Sequence, residues 1–362
     1  PGRPRGVADA AQGRRAGQQR LQQRRLGWAG LLDSTRLQRR SHSCQQPRRG
    51  ERRDAMRVAA QLNIPLLTFD FEESYRERVL GRMFSEYERG VTPNPDVLCN
   101  EEIKFGLFFE AAMKAGFDYV ATGHYAQVRR DADGIAHLYK GLDSEKDQSY
   151  FLYRVSQAAL AKTLFPIGHL AKTSVRQEAT KRALATAAKP DSQGICFVGK
   201  LNFHEFLRKK IPSQPGEIVT PDGVVLGTHD GLDAYTIGQR QGLRVSHGGK
   251  TWYVAAKNEA LRQLIIVDDH EHPLLYQRTA EITDLHWVRP LAAGKTSWQM
   301  QVAIRYRQTP EQAVATLSAD GKTLSLQFER PVWALAPGQS AVCYDGDECL
   351  GGGVILERPV SS

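Results

Sequence analysis

Two cysteines sit among residues that turn the backbone, a setting in which a thiol can do sulfur chemistry. Cys99 lies in Thr92-Pro93-Asn94-Pro95-Asp96-Val97-Leu98-Cys99-Asn100, and Cys196 in Asp191-Ser192-Gln193-Gly194-Ile195-Cys196-Phe197. Loops rich in Pro, Gly and Asp leave a thiol reachable, and the thiolate is the reactive form of cysteine. The two are 97 positions apart, so only a fold could unite them. The plain alternative is a pair of inert buried cysteines. Zinc binding is disfavoured, because neither has a CxxC or HxxxH partner nearby.

Other residues add candidate contacts. Lys146-Asp147-Gln148-Ser149-Tyr150 could meet phosphate or ribose, although Asp147 also suits a helix cap. Arg305-Tyr306-Arg307 reads as part of a strand, with both arginines on one face, able to grip a nucleic-acid backbone while Tyr306 stacks. A solvated strand face would explain it equally. His124 falls just beyond an expected strand end, which favours a site role over that of a core histidine.

These residues need elements to position them. Met56, Val58, Ala59 and Leu62 have helical spacing. Ile64 to Phe71 reads as a buried strand, and Glu73 to Glu88 as a helix. Ile103 to Ala115 is amphipathic and stops at Gly116, a helix-ending residue. Tyr119 to Thr122 reads as a strand ending at Gly123-His124. Alternating strands and helices predict an α/β fold with a doubly wound parallel sheet. Ligands bind such sheets at the carboxyl ends of the strands, where Cys99, Gly123 and His124 are expected. Gln148 to about Leu184 reads as helical with a break at Pro166-Ile167-Gly168. Phe203 to about Val267 is rich in glycine and turns. Beyond Arg278 the period changes to two: Leu324, Leu326 and Phe328 alternate with polar residues behind the Asp320-Gly321 turn, predicting a hairpin and a small β-barrel.

Composition narrows the classes. The chain has 362 residues, enough for two or three domains. No run approaches the roughly 18 apolar residues of a membrane span. The five cysteines (44, 99, 196, 343 and 349) are too few for a disulfide framework and suit a reducing, cytoplasmic compartment. The formal charge of +9 misleads as an average, because residues 1–53 hold 14 Arg and three acids, a net of +11. Residues 54–362 carry 35 basic and 37 acidic side chains, a net of −2. The basic segment reads as a nucleic-acid-binding arm, a disordered tail, or an artefact such as a shifted reading frame. The abrupt change near Asp54 favours the last.

The blocks TPNPDVLCN (92–100), ATGHYAQV (121–128), GLDSEKDQSYFL (141–152), DSQGICFVG (191–199), YTIGQRQGL (235–243), RYRQT (305–309) and PGQSAVCYDGDECLGGG (337–353) together resemble the tRNA-specific 2-thiouridylases. The match runs from about Asp54 to the C-terminus. It implies an adenine nucleotide alpha hydrolase-like catalytic domain over 54–202, a central tRNA-contacting domain over 203–275 and a C-terminal β-barrel over 276–362. It implies an enzyme, a tRNA-uridine 2-sulfurtransferase. ATP, with Mg2+, adenylates the C2 oxygen of the wobble uridine, and a persulfide on Cys196 delivers sulfur. Cys99 is implied as the nucleophile toward that persulfide, able to close a disulfide with Cys196. Asn94, Pro95 and Asp96 match the target-base loop, and Gly123 a nucleotide-binding position. His124, Lys146, Asp147, Gln148, Arg305, Tyr306 and Gln339 match tRNA-contacting positions. The implied partners are tRNA and a sulfur-relay or cysteine desulfurase protein, with no membrane. The resemblance departs at one place. The family's glycine-rich Ser-Gly-Gly-Val-Asp-Ser phosphate loop is absent from residues 1–53, and its first strand is expected to be absent or scrambled, with Leu31-Leu32-Asp33-Ser34 a poor remnant. The chain is therefore expected to bind ATP poorly. The competing expectations are a non-catalytic RNA-binding protein, an inactive thiolase, and a Cys-His hydrolase using His124.

Overall fold

The computed structural model of this chain describes residues 30–33, 46–190, 203–208, 210–211, 214–243, 245, 249–292 and 294–356. Cys196 and its loop lie outside them, as do Cys44 and residues 1–29.

The α/β portion contains two parallel strand pairs. β1 (Gly30–Asp33) pairs with β2 (Leu67–Asp70), and β3 (Val120–Ala121) pairs with β6 (Thr163–Leu164). β1 corrects the expectation that 1–53 contributes no strand: Leu31 to Asp33 form one, in register with Thr68 to Asp70. The first helix also starts inside that segment, spanning Gln46–Leu62, with Pro47 in its first turn, where proline's missing N–H costs nothing. β2 is shorter than expected and mostly exposed rather than buried; Phe69 packs edge-on to Phe108 at 5.8 Å. A continuous helical run through Glu72–Tyr75, Arg76–Gly81 and Arg82–Glu88 buries Tyr75, Val79, Met83 and Tyr87. A second runs through Pro95–Leu98, Cys99–Leu107 and Phe108–Lys114, and Gly116 follows it with φ +86°.

The stretch from Gln148 is less helical than its composition suggested. A short turn of helix (Ser149–Phe151), a helix at Gln157–Ala161 and one at Lys172–Lys181 are interrupted by β6. Thr163 and Leu164 are too short a stretch to have a period of their own, so the parallel partner decides their state.

The glycine-rich middle is a sheet rather than a chain of turns. β7 (Gly216–Val219), β8 (Val225–His229), β9 (Tyr253–Asn258) and β10 (Gln263–Val267) assemble in the order β8-β7-β10-β9.

The barrel forms as period two predicts. β11 (Tyr276–Trp287), β12 (Ser297–Ala303), β13 (Glu311–Leu317), β14 (Leu324–Trp333), β15 (Ser340–Asp345) and β16 (Glu348–Ile355) run β11-β14-β13-β12-β15-β16, and β11–β16 pairing closes it. Leu324, Leu326 and Phe328 fill its interior. Gly351 to Gly353 let β16 lie tightly between β15 and β11; a Cβ on Gly352 would meet the Ala341 carbonyl oxygen at 2.2 Å. A hairpin of the α/β portion, β4 (Ala126–Arg130) and β5 (Ala136–Lys140), extends this sheet through β5–β16 pairing. One core consequently joins Phe105 and Leu138 to Ala303, Val342 and Tyr344.

Candidate functional site

Cys99 stands in a helix, which corrects the expectation of a solvent-reachable loop. Asn94 is the N-cap, its Oδ1 accepting from the Val97 N–H at 3.4 Å, and Pro95 takes the first helical position. The residues that read as a turn are thus a helix start signal. From Cys99 onward the turns widen, with the Phe108 N–H reaching the Ile103 carbonyl five residues back. Such wide turns often mark functional sites. Cys99 is 0% exposed, packed with Tyr75, Val79, Leu98 and Ile103.

The barrel reaches this helix start from outside. Gln339 Nε2 donates to the carbonyls of Thr92 (2.8 Å) and Pro93 (3.2 Å), and the Thr92 N–H donates to the Pro337 carbonyl at 3.3 Å. Between them Gly338 holds φ +82°, and a Cβ there would meet the Thr92 oxygen at 2.9 Å. The central sheet's loop joins through Thr236, whose hydroxyl lies 3.2 Å from that of Thr92. Tyr150 Oη donates to the Ser340 carbonyl at 2.8 Å. Gln339 is therefore held against the chain that leads into Asn94 and Pro95.

Arg305 and Tyr306 lie nearby, but in a turn past the end of β12, with Arg307 at φ +65°. The alternating strand reading fails there because the strand ends at Ala303. Arg305 donates to the carbonyls of Ile237 and Ala334, the latter at 3.0 Å, and lies over the Trp333 ring at 5.2 Å. It binds the central domain to the barrel. Tyr306 packs on Phe151 with ring centres 4.4 Å apart.

Asp147 is not the N-cap of the short helix that follows, which is Gln148; its carboxylate ties its own loop together. Its Oδ1 accepts from the N–H groups of Gly141 (2.8 Å) and Ser149 (3.1 Å), and its Oδ2 from the Ser149 hydroxyl (2.8 Å). Burial raises its pKa, against those hydrogen bonds. Gln148 exchanges two hydrogen bonds with the Tyr125 backbone, its Oε1 accepting at 3.0 Å and its N–H donating at 2.8 Å. Lys146-Asp147-Gln148 is in this way fastened beside Gly123-His124-Tyr125.

Gly123 is exposed just beyond β3, and a Cβ there would meet nothing within 4 Å. His124 is buried between Phe105 and Phe165, with ring centres at 5.7 and 6.1 Å. Burial, then the charge on Lys104, pushes its pKa well below 6.5. With Lys104 Nζ 3.4 Å from Nε2 and the Thr122 hydroxyl 2.7 Å from Nδ1, the ring is neutral: Nε2 accepts from the ammonium, and Nδ1 carries the proton.

Sequence reasoning missed Asn100 and Arg154. Asn100 is 3% exposed and donates to the Phe151 carbonyl at 3.0 Å, while its Oδ1 has no hydrogen-bond partner among the described residues. Arg154 donates to Glu101 at 2.6 Å. Its signal was a lone arginine inside the apolar run Tyr150-Phe151-Leu152-Tyr153-Arg154-Val155, since a charge in such a run needs a partner. Among the described residues no group of three or more His, Cys, Asp or Glu could hold a metal ion.

An α/β domain, a small middle sheet and a closed barrel thus meet over one helix start, a three-domain architecture. Family models agree: residues 28–200 match a "tRNA methyl transferase HUP domain", 204–268 a "tRNA methyl transferase PRC-barrel domain" and 277–355 an "aminomethyltransferase beta-barrel domain". The match starts at residue 28, earlier than the likeness read from Asp54. The chain is 46% identical over 306 residues to the tRNA-specific 2-thiouridylase MnmA of Enterococcus faecalis, covering 84% of this chain and 82% of that one. It is 47% identical over 309 residues to that of Methylobacillus flagellatus, covering 83% and 84%. Against that of Listeria welshimeri the identity is 48% over 302 residues, covering 83% and 81%. The chain belongs to the tRNA-specific 2-thiouridylase family.

Proposed function

We propose that this chain is a tRNA-uridine 2-sulfurtransferase that places sulfur on C2 of the wobble uridine. The observation that carries this reading is the convergence on Thr92–Asn100 of Gln339 from the barrel, Thr236 from the middle sheet and Phe151 from the α/β domain. A site contacted by all three domains suits a long polynucleotide better than a small metabolite. Asn94, Pro95 and Asp96 receive the target base, which must leave its stack to reach them. Cys196 carries the persulfide, whose outer sulfur bonds to C2; the Cys99 thiolate then attacks Cys196 Sγ, so that the persulfide S–S bond breaks, the thiolated base leaves and a Cys99–Cys196 disulfide remains. A sulfur-relay or cysteine desulfurase protein supplies the sulfur, and the compartment is the cytoplasm. No helix of the described residues is long and apolar enough to cross a membrane.

Oxygen leaves C2 only when activated, and ATP with Mg2+ is the activator the family implies. The open backbone at Gly123 accommodates a nucleotide edge. Residues 34–45 contain no glycine, so the sequence there lacks the glycine-rich pattern whose backbone N–H groups wrap phosphates. Pyrophosphate release from ATP and tRNA by the 362-residue chain is expected to be at least tenfold slower than by the Enterococcus relative, and equal rates would refute this.

The central test is 2-thiouridine content of tRNA, by mass spectrometry, in cells carrying this gene or its variants as the sole copy. Cys99→Ser and Cys196→Ser are each expected to abolish the modification. Full modification with either variant would sink the thiolase reading and leave a non-catalytic RNA-binding protein.

A further inference from the structure

Cys99 is buried at 0% exposure, yet the reaction proposed above needs its sulfur to meet another. The residues on either side of it show what holds it in. Asn100 is tied to the Phe151 carbonyl, and Glu101 to Arg154. Both partners belong to one short segment, Ser149 to Val155. The same segment is fastened to the barrel: Tyr150 donates to the Ser340 carbonyl at 2.8 Å, the Ser149 hydroxyl lies 3.2 Å from Tyr344 Oη, and His286 Nε2 donates to the Val155 carbonyl at 3.3 Å.

Arg154 is the member that grips both sides. Its Nε donates to Glu101 Oε2 at 2.6 Å, its Nη1 to the Asp284 carbonyl at 2.9 Å and its Nη2 to Asp284 Oδ1 at 3.4 Å. Asp284 sits where β11 shifts register between Thr283 and His286, with φ +50°; an irregularity of this kind re-aims a side chain. Its other oxygen accepts from Arg82 Nη2 at 2.8 Å, and Arg82 Nε donates to Glu86 at 3.0 Å. The chain Glu101–Arg154–Asp284–Arg82 thus links the turn after Cys99, the barrel and the helix whose Tyr75 and Val79 cover Cys99. Arg154 is only 11% exposed, whereas Asp284 is 42% exposed, so this link is reachable from the surface at its barrel end.

We infer that Arg154 is a positioning residue for Cys99, and that its pairing with Asp284 is a latch that keeps the thiol covered until the barrel shifts against the Ser149–Val155 segment. The inference rests on the reading of Cys99 as a reacting thiol, but its test does not. The reduced, full-length protein is treated with iodoacetamide, and alkylation of each cysteine is followed by peptide mass spectrometry. Cys343 and Cys349, both 0% exposed in the barrel, report any general loosening; burial pushes the Cys343 thiol up to about 12. Asp284→Asn and Arg154→Gln are each expected to raise the Cys99 rate at least fivefold with both barrel cysteines unchanged, and Arg154→Lys, which keeps the charge, to raise it less. An unchanged Cys99 rate in Asp284→Asn overturns the latch. So does a Cys99 rate that rises only in step with Cys343 and Cys349, since that is plain unfolding. Should Arg154→Gln fail to fold, the half-exposed Asp284 variant decides alone. Tight covering of Cys99 can thus hold or fail whether or not Cys99→Ser abolishes thiolation.

Discussion

His124 packs its ring against Phe105 and Phe165 with the Lys104 ammonium at Nε2, so charging it in the fold is costly. Its folded pKa lies well below the 6.5 of the free side chain. The unfolded chain therefore takes up the proton first. The neutral ring's contribution is complete above pH 6.5 and is lost as pH falls below it, at up to about 1.4 kcal/mol per pH unit. Urea midpoints at pH 5, 6 and 7 should fall more steeply for the natural chain than for His124→Asn; parallel slopes would mean that the buried ring carries charge. His124 was legible as a strand-end residue in the sequence, but its burial was not, because the rings that cover it come from positions 105 and 165. Cys99 teaches the same lesson. Its type and its neighbours marked it for sulfur chemistry, while its seclusion depends on Tyr75 and Val79, some twenty residues upstream.

The Pro337-Gly338-Gln339 loop and the Thr92-Pro93-Asn94 loop lie far apart in the sequence and act as one joint in the fold. Gly338→Ala would force a side chain into the left-handed region and against the Thr92 carbonyl. A destabilisation of at least ~1–2 kcal/mol is expected from the backbone alone, measurable as a lower urea midpoint, with tRNA affinity falling several-fold as the joint opens. Gln339→Ala, which keeps the backbone but removes two hydrogen bonds to Thr92 and Pro93, should lower affinity with a smaller loss of stability. Equal affinity in both variants would divorce the joint from RNA binding. Elements with a strong period were legible: the Glu72–Glu88 helical run and the barrel strands follow theirs. The short strand Thr163–Leu164 takes its state from a partner 43 positions away, and the Arg305–Arg307 turn from the end of β12.

Across the whole molecule, β5 is the seam. Leu138 is fully buried in the core shared by Phe105, Tyr150, Val342 and Tyr344, so Leu138→Ala should cost about 2–5 kcal/mol. Because that core spans the α/β portion and the barrel, the two should unfold together, and calorimetry of the natural chain should give one main transition for both. Two well-separated transitions, with Leu138→Ala moving only one, would break the seam. The sequence by itself determined the family, the period-two barrel, the alternation of the α/β portion and the identity of the candidate residues, because residue type and local spacing carry these. Only the tertiary structure decided that Cys99 is covered, that Arg305 donates to backbone carbonyls of the central domain and the barrel, and that Arg154 joins Glu101 to Asp284. Each of those outcomes is a contact between residues distant in sequence, and burial and electrostatics act through distance in space, which local spacing does not encode.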